Sequence, residues 1–289
     1  MADMSMGIIF GLVAMLGYGL GNALTQVPVR EIGERRTAFF RNSIISLMLL
    51  AILVAYLPES NFSLEYIAIA FVISFIGFIP MISFYKALRL GKVGVAAPIG
   101  SSSVVFTILL SIIFFGETLG AAQIISIAAI VAGILLISVN FRDLRGSDIF
   151  RLSSGVPYAI VACVLWGLVY FLFKIPVSVL GPILTSFVIE FGVFIFSWAS
   201  LKMAGAGIGK PDSRMWRYIF AIAILMAMGT LFYNIGVNSY DVSIISAITF
   251  SSPLVSTLYA RFAYKEKISA LQWVAVMLIL AGIVLLAIQ

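Results

Sequence analysis

The sequence predicts an all-α integral membrane protein of ten transmembrane helices, built as two inverted five-helix repeats. Three observations predict it: the apolar composition, the number of long apolar runs, and an internal repeat. Hydrophobic residues make up 62% of the 289 residues and charged residues 10%, where a soluble domain carries about a quarter charged. Crossing about 30 Å of hydrocarbon takes about 20 helical residues. Runs of that kind recur at 5–27, 37–57, 64–86, 94–115, 119–139, 153–175, 182–203, 215–236, 242–263 and 269–288. They lack the alternation of barrel strands, so each is expected to satisfy its own backbone as a helix. The longest connection, KMAGAGIGKPDSRMWR, is a short polar hinge.

The repeat pairs 7–29, GIIFGLVAMLGYGLGNALTQVPV, with 155–177, GVPYAIVACVLWGLVYFLFKIPV. The two align without a gap and are identical at 8 of 23 positions. A second match pairs 116–136 with 265–285, aligning Glu117 with Glu266, Gln123 with Gln272 and Gly133 with Gly282. The offset, 148 and then 149, is nearly constant, which chance similarity between apolar helices does not produce. Units 1–140 and 153–289 follow, joined by a linker at 141–152. Five spans per unit force the second to enter the membrane from the opposite side. Inverted repeats of this kind bind solutes near the midplane between the halves.

Loop charge tests the inversion, because matched loops must then face opposite sides. VPVREIGERR has three arginines and its partner IPVSVLGPIL none. PESNFSLE has no cation and KMAGAGIGKPDSRMWR has four. KALRLGK has three and NIGVNSYD none; FFGETLG has none and YKEKISA two. All four pairs agree, and 17 of the 18 cations fall on one side. That side is expected to be cytoplasmic in a cell membrane, with both termini outside. The exception is Lys174. The net charge of +6 therefore reflects topology, and no nucleic-acid partner is expected. The opening MADMSMG lacks the basic start of a signal peptide, so the first span is expected to be retained. Cys163 lies inside a span and carries no redox information.

Polar groups inside spans are the candidates for function. Tyr18, Asn22 and Gln26 recur every four residues on the first span, and Trp166, Tyr170 and Lys174 repeat the stripe on the sixth. Two such stripes related by the repeat are what a midplane solute site requires. Ser101, Ser102 and Ser103, opposite Ser251 and Ser252, can bond a solute or a helix backbone. Glu190 is the carboxylate deepest in a span, and with no histidine in the chain it is the candidate for reversible protonation. Pro80, Pro98 and Pro253 each remove a backbone donor and are candidate hinges. Tyr85, Tyr233, Asn234 and Asn238 lie toward span ends and rank lower.

Two local patterns resemble the EamA-like branch of the drug/metabolite transporter superfamily. One is Ala162, Trp166, Gly167 and Lys174: Ala-x-x-x-aromatic-Gly with a cation eight residues after the aromatic. The first half keeps Ala14, Tyr18 and Gly19 but has Gln26 at the cation position. The other is Ser252-Pro253-Leu254, Glu266, Leu271-Gln272-Trp273 and Leu280-Ala281-Gly282. The resemblance implies a secondary transporter working by alternating access, export favoured. It also implies a cavity lined by the first, third, fourth, sixth, eighth and ninth spans, with the helix of Glu190 peripheral. Arg41 matches a cation that family members often carry near the start of the seventh span; the seventh span here reads FVIEFG. Family substrates range from amino acids to nucleotide sugars, so a small polar or amphipathic metabolite is expected, with no cofactor and no metal, in a functional monomer. On the residues alone, a channel, a lipid scramblase and an intramembrane enzyme remain open. The enzyme is disfavoured by the absence of histidine and of G-x-S-x-G, and ATP hydrolysis by the absence of a phosphate-binding loop.

Overall fold

A computed structural model describes residues 4–56, 61–91, 96, 99–138, 155–263 and 268–288. Pro98, Glu266 and the 141–152 linker lie outside them. Among the described residues there is no strand, and eight helices are long and apolar enough to cross a membrane, with two shorter apolar helices at 99–115 and 121–137. The chain is an all-α, multi-pass membrane protein of ten spans in two inverted repeats.

The first half contributes α1 (Met4–Ile32), α2 (Glu34–Ala55), α3 (Leu64–Leu90), α4 (Ser103–Phe115) and α5 (Ala121–Ser138). Two spans of the second half are broken, and the fourth span of the first half has a matching interruption at Ser102. The sixth divides into α6 (Val156–Leu172) and α7 (Lys174–Leu180), and the ninth into α10 (Val242–Thr249) and α11 (Ser252–Ala263). Between them stand α8 (Pro182–Met203) and α9 (Ser213–Ser239), and α12 (Ala270–Ala287) closes the chain. Each second-half break lies just before a proline. Pro176 and Pro253 cannot donate to the carbonyl four residues back, which removes one helical hydrogen bond at each break. Pro80, by contrast, sits inside the unbroken α3.

The packing repeats with the sequence. α1 lies against α9 as α3 lies against α6; α1 meets α11 as α4 meets α6; α2 meets α9 as α3 meets α8. Three contacts join a helix to its own repeat mate, α2 with α8, α4 with α10 and α5 with α12. These lie on the pseudo-twofold axis, where a self-complementary contact is required.

Small residues allow the close approach. A Cβ on Gly133 would meet Ile279 Cγ1 at 2.6 Å, and one on its mate Gly282 would meet Ile130 Cγ1 at 2.6 Å. Hydrogen bonds follow the same symmetry: Thr107 Oγ1 donates to Gly167 O at 3.1 Å, and Ser256 Oγ to Gly19 O at 2.8 Å. Such bonds offset the lack of a hydrophobic drive between helices in lipid. The matched glutamines are caps, since Gln123 Oε1 accepts from Gly120 N and Gln272 Oε1 from Ser269 N, both at 2.9 Å.

Candidate functional site

Two 22-residue helices, α2 and α8, cross near their middles, and the site is built on that crossing. The inward face of α2 carries Ala38, Arg41, Asn42 and Ile45, all buried. That of α8 carries Ile189, Glu190 and Val193, also buried. Asn42 and Glu190 are ninth in their helices, about 12 Å from each helix start. They are 148 residues apart, and the Asn42 amide donates to Glu190 Oε2 at 2.9 Å. Repeat-mated positions thus touch each other at the centre of the bundle.

A buried polar network grows from this contact. Arg41 donates from Nε to Asn42 Oδ1 at 2.9 Å and from Nη1 to the Tyr85 hydroxyl at 2.5 Å. Its Nη2 faces Glu190 Oε2 at 3.6 Å, both side chains being 9% exposed. On the other oxygen, Thr230 Oγ1 donates to Glu190 Oε1 at 2.7 Å, and Tyr18 OH donates to Thr230 Oγ1 at 3.3 Å. Four helices, α1, α2, α8 and α9, converge on one carboxylate. Each charge is both paired and hydrogen-bonded, which a charge buried among apolar helices needs.

The network edges a cavity of ≈ 90 Å³. One wall is aromatic: Tyr18, Phe84, Trp166, Tyr170, Phe173 and Phe250. Trp166 tilts onto Phe84 with ring centroids 4.9 Å apart, and Tyr170 meets Phe250 edge-on at 4.5 Å. The polar wall presents Asn22, Arg41, Tyr85, Ser101, Glu190, Thr230 and Ser252. At about 30 Å³ per water the space holds about three waters, well below the several hundred Å³ of sites for drug-sized ligands. This is a constricted conformation.

Several sequence expectations meet here and several do not. Tyr18, Asn22, Trp166, Tyr170 and Glu190 line the cavity. Gln26 does not: with its amide oxygen turned to Arg30, it accepts from Arg30 Nη2 at 2.6 Å. Ser102 and Ser251 are displaced by their neighbours Ser101 and Ser252, because a helix turns by about 100° per residue. Ser251 Oγ instead donates to Ala247 O at 2.9 Å. Of the prolines, Pro80 and Pro253 lie outside the lining, although Phe250 and Ser252 flank the break before Pro253.

Lys174 is the clearest correction. It does not line the cavity; its Nζ donates to Val237 O and Tyr240 O at the C-terminal end of α9. Across the same turn, Glu117 accepts from Val242 N at 2.6 Å and Ser243 N at 3.0 Å at the start of α10. A cation on exposed carbonyls and an anion on exposed amides complement the two helix ends. The helix carrying Glu190 is also not peripheral, since α8 supplies Ile189, Glu190 and Val193 to the cavity wall. Sequence reasoning gave no site role to Arg41, Asn42, Thr230 or Phe250, and ranked Tyr85 low. The 148-residue spacing of Asn42 and Glu190 was the available signal.

The description "EamA-like transporter family" belongs to the family model that matches residues 5–139 and again 153–288. The chain belongs to this family. An EamA-like transporter moves small solutes across a membrane, and the family is one of transporters. A relative, the uncharacterized protein MJ1333.1 of Methanocaldococcus jannaschii, is 31% identical over 143 residues. The match covers 47% of this EamA-like chain and 99% of that protein, so the relative is about one repeat long. A solved protein crystal structure, 17% identical, superposes with a TM-score of 0.76 over 96% of this chain and 95% of that one; at that identity it shows the fold alone.

Proposed function

We propose that this EamA-like transporter moves a small solute bearing an amino and a carboxyl group, in exchange with a proton at Glu190, by rocking of its two inverted halves. One observation carries the reading: an acid and a base, on repeat-mated helices of opposite halves, edge the same central cavity. The 3.6 Å separation of Arg41 and Glu190 leaves the pair loosely engaged. A solute carboxylate would take the Arg41 fork, which suits a planar anion, and its ammonium would take Glu190. Tyr18, Trp166 and Tyr170 would pack its apolar body and face its positive charge. Protonation of Glu190 removes the negative end of the site, while Arg41 keeps Tyr85 and Asn42 as partners. Solute and proton then compete for one carboxylate, which couples their movements. Entry requires the ≈ 90 Å³ cavity to widen, as the halves separate toward one side. Efflux is the direction to test first.

The test is thermal-shift screening of metabolites on purified protein, followed by flux in proteoliposomes with and without a pH gradient. Amino-acid-like solutes are expected to raise Tm and to cross in a gradient-dependent way. Glu190→Gln is expected to lose gradient dependence, with flux down about tenfold or more, as loss of a charge-assisted bond gives. Full gradient-driven flux in that variant sinks the proton exchange. A solute that stabilises but never crosses, or crosses at channel rates, sinks the transporter reading.

A further inference from the structure

A depression of ≈ 310 Å³ opens on the face where the loop cations collect. The α1–α2 turn from Arg30 to Arg36 forms one wall, Arg89 at the end of α3 a second, and Leu201 and Ala206 of the second half a third. Its charges do not cancel. Arg89 answers Glu34 at 2.8 Å, and Arg214, just outside, answers Glu31 at 3.4 Å. Arg30 Nη2 donates to Gly91 O at 2.8 Å and Arg36 Nε to Gly207 O at 2.9 Å, both neutral acceptors. Arg35 is exposed on the same rim. Five arginines therefore stand against two glutamates, an excess of three positive charges. Topology requires cations somewhere in these loops; it does not require them to converge on one hollow.

Guanidinium groups that retain free N–H donors around a hollow are matched to phosphate oxygens in both geometry and charge. The flanks are apolar. Leu90, next to Arg89, is 42% exposed, and Met203, two residues after Leu201, is 89% exposed. A ligand with a phosphate and hydrocarbon chains fits both features at once. We propose that this depression is a phosphate-binding site that takes the headgroup of an anionic phospholipid from the adjoining leaflet. Its walls come from both halves, and Arg36 already reaches across to Gly207, so an occupied site ties the halves together on this face.

The test needs no transported solute, so its failure and that of the transport reading are separable. The full chain is purified in micelles at low salt, and Tm is followed as phosphatidylglycerol, phosphatidylcholine or inorganic phosphate is added. Phosphatidylglycerol is expected to raise Tm in the wild type and in Arg217→Gln, which removes an exposed cation outside the depression. The rise is expected to vanish in Arg35→Gln with Arg36→Gln. If that pair does not fold, Arg35→Lys with Arg36→Lys is expected to lose about half the rise, because lysine binds phosphate without the fork. A rise with inorganic phosphate equal to that with phosphatidylglycerol keeps the phosphate site and overturns the lipid. A rise that persists undiminished in the arginine variants, or that phosphatidylcholine matches, overturns the site.

Discussion

Lys174 shows what a single intramembrane cation can be used for. At the end of an apolar helix it could anchor to headgroups or face a solute; the fold gives it a third use, as a clamp on the carbonyl end of α9. Glu117 from the other half holds the amide end of α10 across the same turn. Lys174→Met is therefore expected to lower stability by about 1.5–3 kcal/mol, the scale of a hydrogen bond to a charged group. Solute affinity should stay unchanged, because the side chain does not reach the cavity. Thermal unfolding and a binding isotherm on the same variant check this, and a weakened isotherm with unaltered Tm would restore Lys174 to the site. Arg41 makes the opposite case. Counted along the chain it is one more cation near a loop; in three dimensions it pairs with Glu190 in the bundle centre.

Among the elements, the self-mated contacts bear the architecture. In the α5–α12 contact, Gly133 and Gly282 exchange equivalent neighbours across the axis: each would place a Cβ 2.6 Å from an isoleucine Cγ1, with a backbone carbonyl of the facing helix close behind at 2.8 and 2.7 Å. Gly133→Ala and Gly282→Ala are expected to destabilise by similar amounts, about 1–3 kcal/mol each, as overpacking of a close contact does. Combining them should cost less than the sum, since a helix pair pushed apart by one methyl group has room for the second. Thermal unfolding of the two single variants and the double tests this, and full additivity would show that the helices do not move apart. The turns preceding α2 and α8 repeat in the same way: Gly33 and Gly181 sit at matched positions with φ of 86° and 77°, which a side chain would oppose. The ninth-span break repeats in the fourth span, where Ser102 N donates to Ile99 O as Ser251 N does to Ile248 O; the sixth-span break departs from the symmetry. Pro28 is contained within α1, whereas its mate Pro176 follows the α6–α7 boundary at Phe173, whose backbone stays in the right-handed helical region.

For the whole molecule, the two halves meet around a constricted cavity on their axis, and the loop-charge asymmetry predicts which face is cytoplasmic. Cysteines introduced at the C-terminus are expected to react with an impermeant thiol reagent from outside intact cells, after Cys163→Ala removes the native thiol, while cysteines in the α1–α2 turn are protected. Labelling of the turn and protection of the C-terminus would invert the topology.

Much of this was legible along the chain. The sequence by itself determined the helical class, the ten spans, the repeat and its inversion, because transfer to hydrocarbon and loop charge act residue by residue and sum along the chain. It also pointed to Tyr18, Asn22, Trp166, Tyr170 and Glu190, polar or aromatic groups that a span must place against protein or water. Only the tertiary structure decided which of them meet. Arg41 with Glu190, Ser101 in place of Ser102, and Lys174 at a helix end depend on how each helix is rotated about its own axis and which neighbour it faces. Those are set by packing of glycines and side chains between segments more than a hundred residues apart, and no local pattern encodes them.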